Sequence, residues 1–313
     1  MSERFVDLVV AGCDFSGTTT QIAGLIKHLQ SKGKIVRDIR GTEIDAIFHA
    51  EVLADFNKGY TTFDEFIKKA HPFIARDGIN QVERRVHENK FNITSMVRNG
   101  VSVYINPESA DAWIMEEPTH RGAGQTVRSV ELYRSKFEDK VDQISAALAH
   151  QTYRTEEFLR FRRVLREAGK LIVRSRSEES ACYNIKDEEA SPQGISREQY
   201  LSLPGHKIAF GNAPTHIFVV HGPADWDPAD YICLRTERAH GRVLDDLEHN
   251  FRYQLMVNRR YATDWLERLY EEGCAMHGGK VPQIFRINIY DSPESQIQQM
   301  ADKLDSVLAE KAQ

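Results

Sequence analysis

Long apolar stretches are missing from this sequence. No run approaches the roughly 18 apolar residues that a membrane-spanning helix needs, and the first residues do not form a charged segment followed by an apolar one. Cysteine is also sparse: Cys13, Cys182, Cys233 and Cys274 lie far apart and form no CxxC pair, so a disulfide framework or a zinc site has little support. These absences predict a soluble, unprocessed protein of the reducing cytoplasm, without a membrane partner.

The sequence has no excess of positive charge either. It contains 41 lysines and arginines against 46 aspartates and glutamates, a formal net charge of -5, which argues against a broad electrostatic grip on nucleic acid. Cys274, His277 and the other histidines lack the spacing of a metal site, and no serine lies in a nucleophile elbow. We therefore expect a small-molecule ligand and no nucleic-acid partner.

Apolar runs that end in polar or Gly- and Pro-marked turns alternate with helical patterns along the chain. The first run, FVDLVVAG at 5–12, leads into TTQIAGLIKHLQSKG, where Ile22, Leu25, Ile26 and Leu29 recur at helical spacing. Similar runs are DAWIMEEPTHRG from 111, GKLIVRSRS from 169, THIFVVHGP from 215 and PQIFRINIYDSP from 282. This alternation predicts an α/β fold: one domain with a parallel sheet of about five strands, flanked by helices, that binds ligands at the carboxyl ends of its strands.

Amphipathic helices are predicted at 154–168 and 246–272. Two regions break the alternation of strands and helices. Residues 41–110 are polar with mostly helical patterns and an extended piece, VSVYINP, near their end, and we interpret them as an insertion packed beside the sheet. Residues 186–212 are rich in Ser, Pro and Gly, which predicts an irregular loop.

The segment AGCDFSGTTTQ at 11–21 has the outline of a phosphate-binding loop. Its two glycines have the spacing of that motif, Thr19 offers the hydroxyl that would hold Mg²⁺, and the segment joins the first strand to the first helix. In such loops backbone N–H groups surround the phosphates while a lysine neutralises charge, but Thr18 occupies the lysine position. The alternative is an ordinary strand-to-helix turn. The candidate ATP contacts are Gly12, Cys13, Asp14, Phe15, Ser16, Gly17, Thr18, Thr19 and Thr20.

Five segments, in order, resemble the thymidylate kinase family over most of the chain outside the insertion. GCDFSGTTTQ is similar to GxDxSGKSTQ of that family, EEPTHRGAGQTVR (116–128) to REPGGTPxGExIR, and RTEEFLRFRRVLREAGK (154–170) to RAxHxxxxIxPALxxGK. SRSEES (175–180) matches DRYxxS, and LDDLEHNFRYQLMVNRRY (244–261) resembles the segment after the family's lid, with Phe251 and Tyr261 in register. Each segment alone is weak evidence, whereas five in the right order favour the P-loop nucleoside monophosphate kinase fold.

The resemblance implies a site for a nucleoside monophosphate. Arg176 matches the arginine that holds the acceptor phosphate, Arg154 the one that reads the base edge, and Asp14 the loop carboxylate near the acceptor sugar. A guanidinium suits such roles because its planar fork binds phosphate or a carbonyl edge through two hydrogen bonds. The alternative for either arginine is a solvated surface charge. Further candidates on the acceptor side are Glu117, Arg121, His150 and Ser180.

One segment of the family can be aligned with this sequence in two ways, and several residues differ from the family's motifs. RDIRGTEID at 37–45 is a second candidate for the segment around Glu117, so Arg40 and Arg121 compete for a phosphate contact; the Glu117 segment is preferred because its distance to Arg154 is the usual one. Besides Thr18, the departures are Ser175 for the aspartate of DRY, Glu116 for an arginine, His150 for a base-stacking phenylalanine, and Tyr183, one residue out of step with a tyrosine.

A lid at 235–248 offers a substitute for the missing lysine. Its segment RTERAHGR contains Arg235, Arg238 and Arg242, which with Asp14 are the catalytic candidates. A guanidinium folded over the β and γ phosphates would stabilise their developing charge, as an arginine finger does. The alternative for each of the three is a charge on a solvent-exposed helix.

The leading hypothesis is a phosphotransferase similar to thymidylate kinase, which uses ATP and Mg²⁺ to phosphorylate a pyrimidine (deoxy)nucleoside monophosphate such as dTMP. A second hypothesis, favoured by Thr18 and Ser175, is a catalytically impaired nucleotide-binding or regulatory pseudokinase of the same fold. A third is a kinase of this fold with a different acceptor. The sequence alone does not select the base of the acceptor, nor does it decide between a monomer and a homodimer.

Overall fold

The computed structural model describes residues 5–40, 97–98, 101–102, 107–118, 127, 143–192, 194–239 and 246–312. Most of the predicted insertion at 41–110 therefore lies outside the described residues. So do Arg121, Arg242 and residues 240–245 of the predicted lid.

The fold is built on a six-stranded parallel sheet flanked by helices. In spatial order its strands are β2 (Val36–Asp38), β5 (Ala112–Glu116), β6 (Leu171–Ser175), β1 (Val6–Gly12), β7 (His216–His221) and β8 (Gln283–Asn288). A separate antiparallel pair consists of β3 (Val97–Arg98) and β4 (Val101–Ser102). The predicted α/β fold with a parallel sheet is confirmed. The sheet has one strand more than expected because β2 pairs with β5 at its edge.

Residues of the central strands alternate between two apolar clusters. Ile114 and Val173 contribute to the larger core, whereas their neighbours Trp113 and Ile172 belong to a second cluster, as the twofold period of a strand requires. β1 is buried along its whole length, which is typical of a strand covered on both faces. Because the six strands are parallel, the loops that follow β1, β6 and β7 meet at one edge of the sheet.

The described residues also form a set of helices around the sheet. They are α1 (Thr18–Ser31), α2 (Gln143–Glu157), α3 (Arg163–Glu167), α4 (Ala181–Asn184), α5 (Arg197–Ser202), α6 (His206–Ala209), α7 (Pro228–Ala239), α8 (Asp246–His249), α9 (Phe251–Ala262), α10 (Trp265–His277) and α11 (Pro293–Ala312). A π-helical turn, Phe158–Arg162, joins α2 to α3. Within the described part of the chain, no helix is both long enough and apolar enough to span a bilayer.

Two predicted helices had wrong bounds, and the segment predicted as an irregular loop contains helices. The helix predicted at 154–168 begins earlier, at Gln143, and includes the π-helical turn. The helix predicted at 246–272 is divided into α8, α9 and α10, because Asn250 caps α9 by accepting a hydrogen bond from Tyr253 N at 3.2 Å and Thr263 is extended. Residues 186–212 contain α5 and α6, and α5 begins at a capping box between Ser196 and Gln199.

Candidate functional site

The loop at 12–20, which we call the phosphate loop, leaves β1 at the carboxyl edge of the sheet and enters α1. Ser16 N donates to Cys13 O at 3.1 Å, and Phe15 and Gly17 have left-handed φ values of 67° and 84°. At Gly12 an added Cβ would lie 2.4 Å from Ser16 Oγ and 2.6 Å from the Val220 carbonyl. The close turn therefore depends on glycine at this position.

The phosphate loop presents the N-terminus of α1 without a side-chain cap. The N-cap is Gly17, which has no side chain to cap the helix, so the N–H groups of the first turn suit an anion. Thr19 and Thr20 are exposed, and Thr18 is half-buried. These features fit the phosphates of a nucleotide, with the Thr19 hydroxyl as the group that would reach a Mg²⁺ ion bound to them. Thr18 adds no positive charge.

One of the predicted lid arginines contacts the phosphate loop directly. Arg238, at the end of α7, donates from Nη1 to the Phe15 carbonyl at 2.8 Å and from Nη2 to the Ile289 carbonyl at 3.0 Å. Arg235 instead donates to the carbonyls of Glu248 and His249, at 3.1 and 3.3 Å, where it satisfies the last carbonyls of α8. Of the two lid arginines within the described residues, Arg238 is thus the one that contacts the loop.

Glutamine side chains support the same loop from α1 and α11. Gln21 Nε2 donates to the Ser16 carbonyl at 2.8 Å and to Gln296 Oε1 at 2.6 Å. Gln296 Nε2 in turn donates to the Ile289 carbonyl at 3.2 Å, which also accepts from Arg238. The phosphate loop is therefore tied on two sides to the turn after β8.

Asp14 links the phosphate loop to the end of β6. Its Oδ1 accepts from Arg176 Nη2 at 2.7 Å and its Oδ2 from Gln254 Nε2 of α9 at 2.7 Å. Arg176 has a left-handed backbone, with φ at 68°, and its guanidinium carbon lies 5.1 Å from the centre of the Tyr183 ring. Its side chain is 33% exposed, so it remains open to a ligand at the edge of the sheet.

Behind Arg176 lies a set of buried ionisable side chains, which we call the buried charge cluster. Its members are Asp7, Glu117, Arg154, Arg162, Arg174, Glu178 and Glu179. The Glu117 carboxylate is shared between Arg154 Nε, at 2.9 Å, and Arg174 Nη1, at 2.8 Å. Arg154 also donates to the Tyr200 hydroxyl at 3.3 Å and to the Ser177 carbonyl at 2.8 Å. The contacts of Arg154 are therefore internal, and its contact with a base edge stays a prediction.

Two arginines of the buried charge cluster keep the Asp7 carboxyl group ionised. Arg174 Nε donates to Asp7 Oδ1 at 2.9 Å and Arg162 Nη2 to Asp7 Oδ2 at 3.0 Å. Burial alone would raise the pKa of Asp7, but the two guanidinium groups hold it well below its ordinary value. Glu179 is the opposite case: burial, with the added charge of Glu117, raises its pKa to about 7.

The remaining predicted acceptor residues lie on three different segments of the chain. His150 is half-buried on α2, one turn before Arg154, and Ser180 Oγ donates to Glu179 Oε1 at 3.3 Å. Arg40, the competitor of Arg121, forms a two-point ion pair with Asp38 of β2, with Nη2 2.6 Å from Oδ2.

The sequence interpretation missed several residues of this region. Asp7 and Arg174 interrupt apolar strands, VDLVV and LIVRS, and a charge inside an apolar run is a signal of a buried ion pair. Gln254 gave no such signal, because a glutamine on an amphipathic helix is ordinary and its contact with Asp14 depends on how α9 packs.

Together the fold and the site define an α/β protein with an uncapped helix N-terminus and two arginines at the carboxyl edge of a parallel sheet. No protein-family model matches the chain, and no curated protein matches it in sequence.

Proposed function

We propose that this protein is a phosphotransferase of the thymidylate kinase type, which binds ATP at the phosphate loop and a pyrimidine nucleoside monophosphate at Arg176. One observation carries the proposal. Arg238 and Arg176 come from different parts of the chain and contact adjacent residues of the same loop, the Phe15 carbonyl and the Asp14 carboxylate. A phosphoryl group passing between donor and acceptor would need positive charge on both sides, which these two arginines offer.

On the donor side, the N–H groups of the first turn of α1 would surround the phosphates of ATP. Arg238 would supply the charge that Thr18 does not. Its two hydrogen bonds go to backbone carbonyls, which are neutral partners, so its positive charge is not cancelled by a carboxylate in those contacts. The bound nucleotide would provide the γ-phosphate, and Mg²⁺ held by Thr19 would neutralise part of its charge.

On the acceptor side, Arg176 would hold the monophosphate. The Asp14 carboxylate holds the guanidinium of Arg176 through one hydrogen bond. Because the Arg176 side chain is partly exposed, its other N–H groups can reach the ligand. The chain's contribution to rate would consist of positioning the two phosphates in line and neutralising charge. Four further residues would line the acceptor site behind Arg176, as the sequence predicts: Glu117, Arg154, His150 and Ser180.

The pseudokinase remains the second candidate, because the position of the lysine is filled by Thr18 and Ser175 stands at the end of β6 in place of a carboxylate. Thr18 removes a positive charge that would act on the transferred phosphate, and Ser175 removes a carboxylate from the end of β6. A nucleotide-binding protein without transfer would keep the uncapped α1 terminus and the Asp14–Arg176 pair.

The test is ADP release from Mg·ATP in the presence of dTMP, dUMP, UMP, CMP, AMP and GMP, combined with calorimetric titration of each nucleotide. The proposal expects saturable transfer, fastest with a pyrimidine acceptor. The pseudokinase expects ATP binding with no transfer to any acceptor. A kinase with another acceptor would bind ATP and none of the six monophosphates, and absence of ATP binding would refute all three.

A further inference from the structure

Gln254 is fully buried on α9, directly beside the phosphate loop. Its Nε2 donates to Asp14 Oδ2 at 2.7 Å, while Asp14 Oδ1 accepts from Arg176 Nη2 at 2.7 Å. Each oxygen of the carboxylate therefore has its own partner, from a different element of the fold. Two contacts on opposite oxygens fix the plane of a carboxylate, and a fixed carboxylate orients the guanidinium that pairs with it.

Arg176 depends on this orientation because, within the described part of the chain, the hydrogen bond of its guanidinium goes to Asp14. The side chain is partly exposed and lies over the Tyr183 ring, a contact that permits rotation of the guanidinium in its own plane. The ion pair with Asp14 is what selects one rotation. Gln254 thus acts on Arg176 through Asp14 without touching it.

We propose that Gln254 is a positioning residue for the acceptor: by holding the Asp14 carboxylate, it sets the direction in which Arg176 presents its N–H groups to the monophosphate. This inference rests on the proposed function, since it assigns Arg176 to the acceptor phosphate. It predicts that a change at Gln254 weakens acceptor binding while ATP binding stays intact.

A matched control is available one turn further along α9. Asn258 is also fully buried, and its amide contacts the loop after β7: Oδ1 accepts from Gly222 N at 2.7 Å and Nδ2 donates to the Pro223 carbonyl at 2.7 Å. Its Oδ1 also accepts from Cys13 Sγ of the phosphate loop at 3.9 Å. A change at Asn258 disturbs a buried amide of the same helix but leaves the contact with Asp14 in place. It separates the positioning role from a general effect on α9.

Two substitutions at Gln254 test the contact. Gln254→Met keeps a similar volume and removes the donor. Gln254→Glu keeps the shape and places a second carboxyl group against Asp14. Two carboxyl groups in contact do not both ionise readily. At low pH the new carboxyl is protonated and can donate to Asp14, which restores the contact. At high pH it is ionised and repels Asp14.

Among the residues that the structure describes, the other ionisable groups that face Asp14 do not titrate between about pH 5.5 and 8.5. Arg176 keeps its charge throughout. Burial raises the pKa of Cys13 to about 12, and burial also raises the pKa of Tyr183 and of Tyr231 well above the ordinary value of a tyrosine. A pH dependence specific to Gln254→Glu would therefore come from its contact with Asp14.

The experiment is calorimetric titration of dTMP and of ATP into the full chain at about pH 5.5 and pH 8.5. The phosphate of dTMP itself titrates near pH 6, so each variant is compared with the unmodified protein at the same pH. Gln254→Met should bind dTMP about tenfold more weakly at both pH values, the scale of a lost hydrogen bond to a charged group. Gln254→Glu should bind it within about threefold of the unmodified protein at low pH and at least about tenfold more weakly at high pH.

The control and the ATP titrations decide between positioning and structure. Asn258→Leu, which has a similar size and adds no titratable group, should give the same dTMP ratio at both pH values. ATP affinity should change by less than about twofold in both Gln254 variants. Equal weakening of ATP and dTMP, or a Gln254→Glu ratio that does not change with pH, would overturn the inference and leave the proposed function standing. If the unmodified protein binds ATP but not dTMP or any other monophosphate, the acceptor assignment itself fails, and the role of Gln254 fails with it.

Discussion

Replacing Glu179 by glutamine should make the folded protein more stable at neutral and alkaline pH. Glu179 is fully buried in the 3₁₀ turn Glu178–Ser180, and its Oε2 atom has no hydrogen-bond partner among the residues that the structure describes. Burial raises its pKa from 4.5 to about 7, with a smaller contribution from the negative charge of Glu117. Ionised Glu179 is therefore a source of instability in the buried charge cluster, and a neutral amide of the same shape removes it.

The size and sign of the effect depend on the two pKa values. Between about pH 4.5 and pH 7 the unfolded chain has lost the proton of Glu179 while the folded protein still holds it. The folded state binds more protons in this window, so its stability falls as pH rises, and the loss is complete above about pH 7. A shift from 4.5 to about 7 corresponds to about 3 kcal/mol. Glu179→Gln lacks this loss.

The measurement is urea unfolding, followed by tryptophan fluorescence, for both proteins from about pH 4.5 to pH 8. The difference in free energy of unfolding, variant minus unmodified protein, should grow by about 3 kcal/mol across this range and then stay constant. Glu188→Gln is the control, because Glu188 is 82% exposed and its removal should change stability by less than about 0.5 kcal/mol at every pH. Parallel stability curves for Glu179→Gln and the unmodified protein would refute the reasoning.

Three further predictions concern the phosphate loop. Arg238→Ala should lower phosphoryl transfer by about 100-fold or more, as loss of an arginine finger does. Arg235→Ala should leave most of the transfer rate, because Arg235 contacts the end of α8. Equal rates of ADP release in the two variants would contradict this assignment. Thr18→Lys should raise or preserve transfer, and a loss of ATP binding in that variant would show that no cation fits beside the loop. Arg176→Ala should weaken binding of the monophosphate by about 2 kcal/mol in calorimetry and leave ATP affinity almost unchanged, and an equal effect on both ligands would point to a structural arginine.

The sequence predicted the strands of this fold better than its helices. Each predicted apolar run, such as FVDLVVAG, contains a strand of the parallel sheet. The clearest is β1, which is buried along its whole length and is apolar apart from Asp7, as a strand covered on both faces usually is. β2 was missed because it is three residues long, lies at the edge and contains Arg37 and Asp38. The division of 246–272 was missed because Asn250 and Thr263 fit within a helical pattern, and only the cap and the packing separate the helices.

For the site, the sequence located the loop but not the side chains that hold it. The two glycines and Thr19 define the phosphate loop by spacing alone, and Arg238 and Arg176 were candidates that the fold brings to it. The partners of these residues come from distant segments: Gln254 is 240 residues from Asp14 in sequence, and Arg174 is 167 residues from Asp7. No local pattern carries such pairings, because they arise from strand order and helix packing.

The π-helical turn Phe158–Arg162 makes the helical segment between Gln143 and Glu167 sensitive to a change in length. The wider turn holds one residue more than a regular turn, so it rotates the C-terminal part of the segment by about 100° relative to an unbroken α-helix. With this rotation Arg162 meets Asp7, while Arg154, before the turn, meets Glu117. Deleting one residue of the turn would give a more regular helix but a less stable fold, since Arg162 would point away from the buried Asp7 carboxylate. A shortened chain would need a second substitution, at Asp7, to recover the stability of the full-length fold.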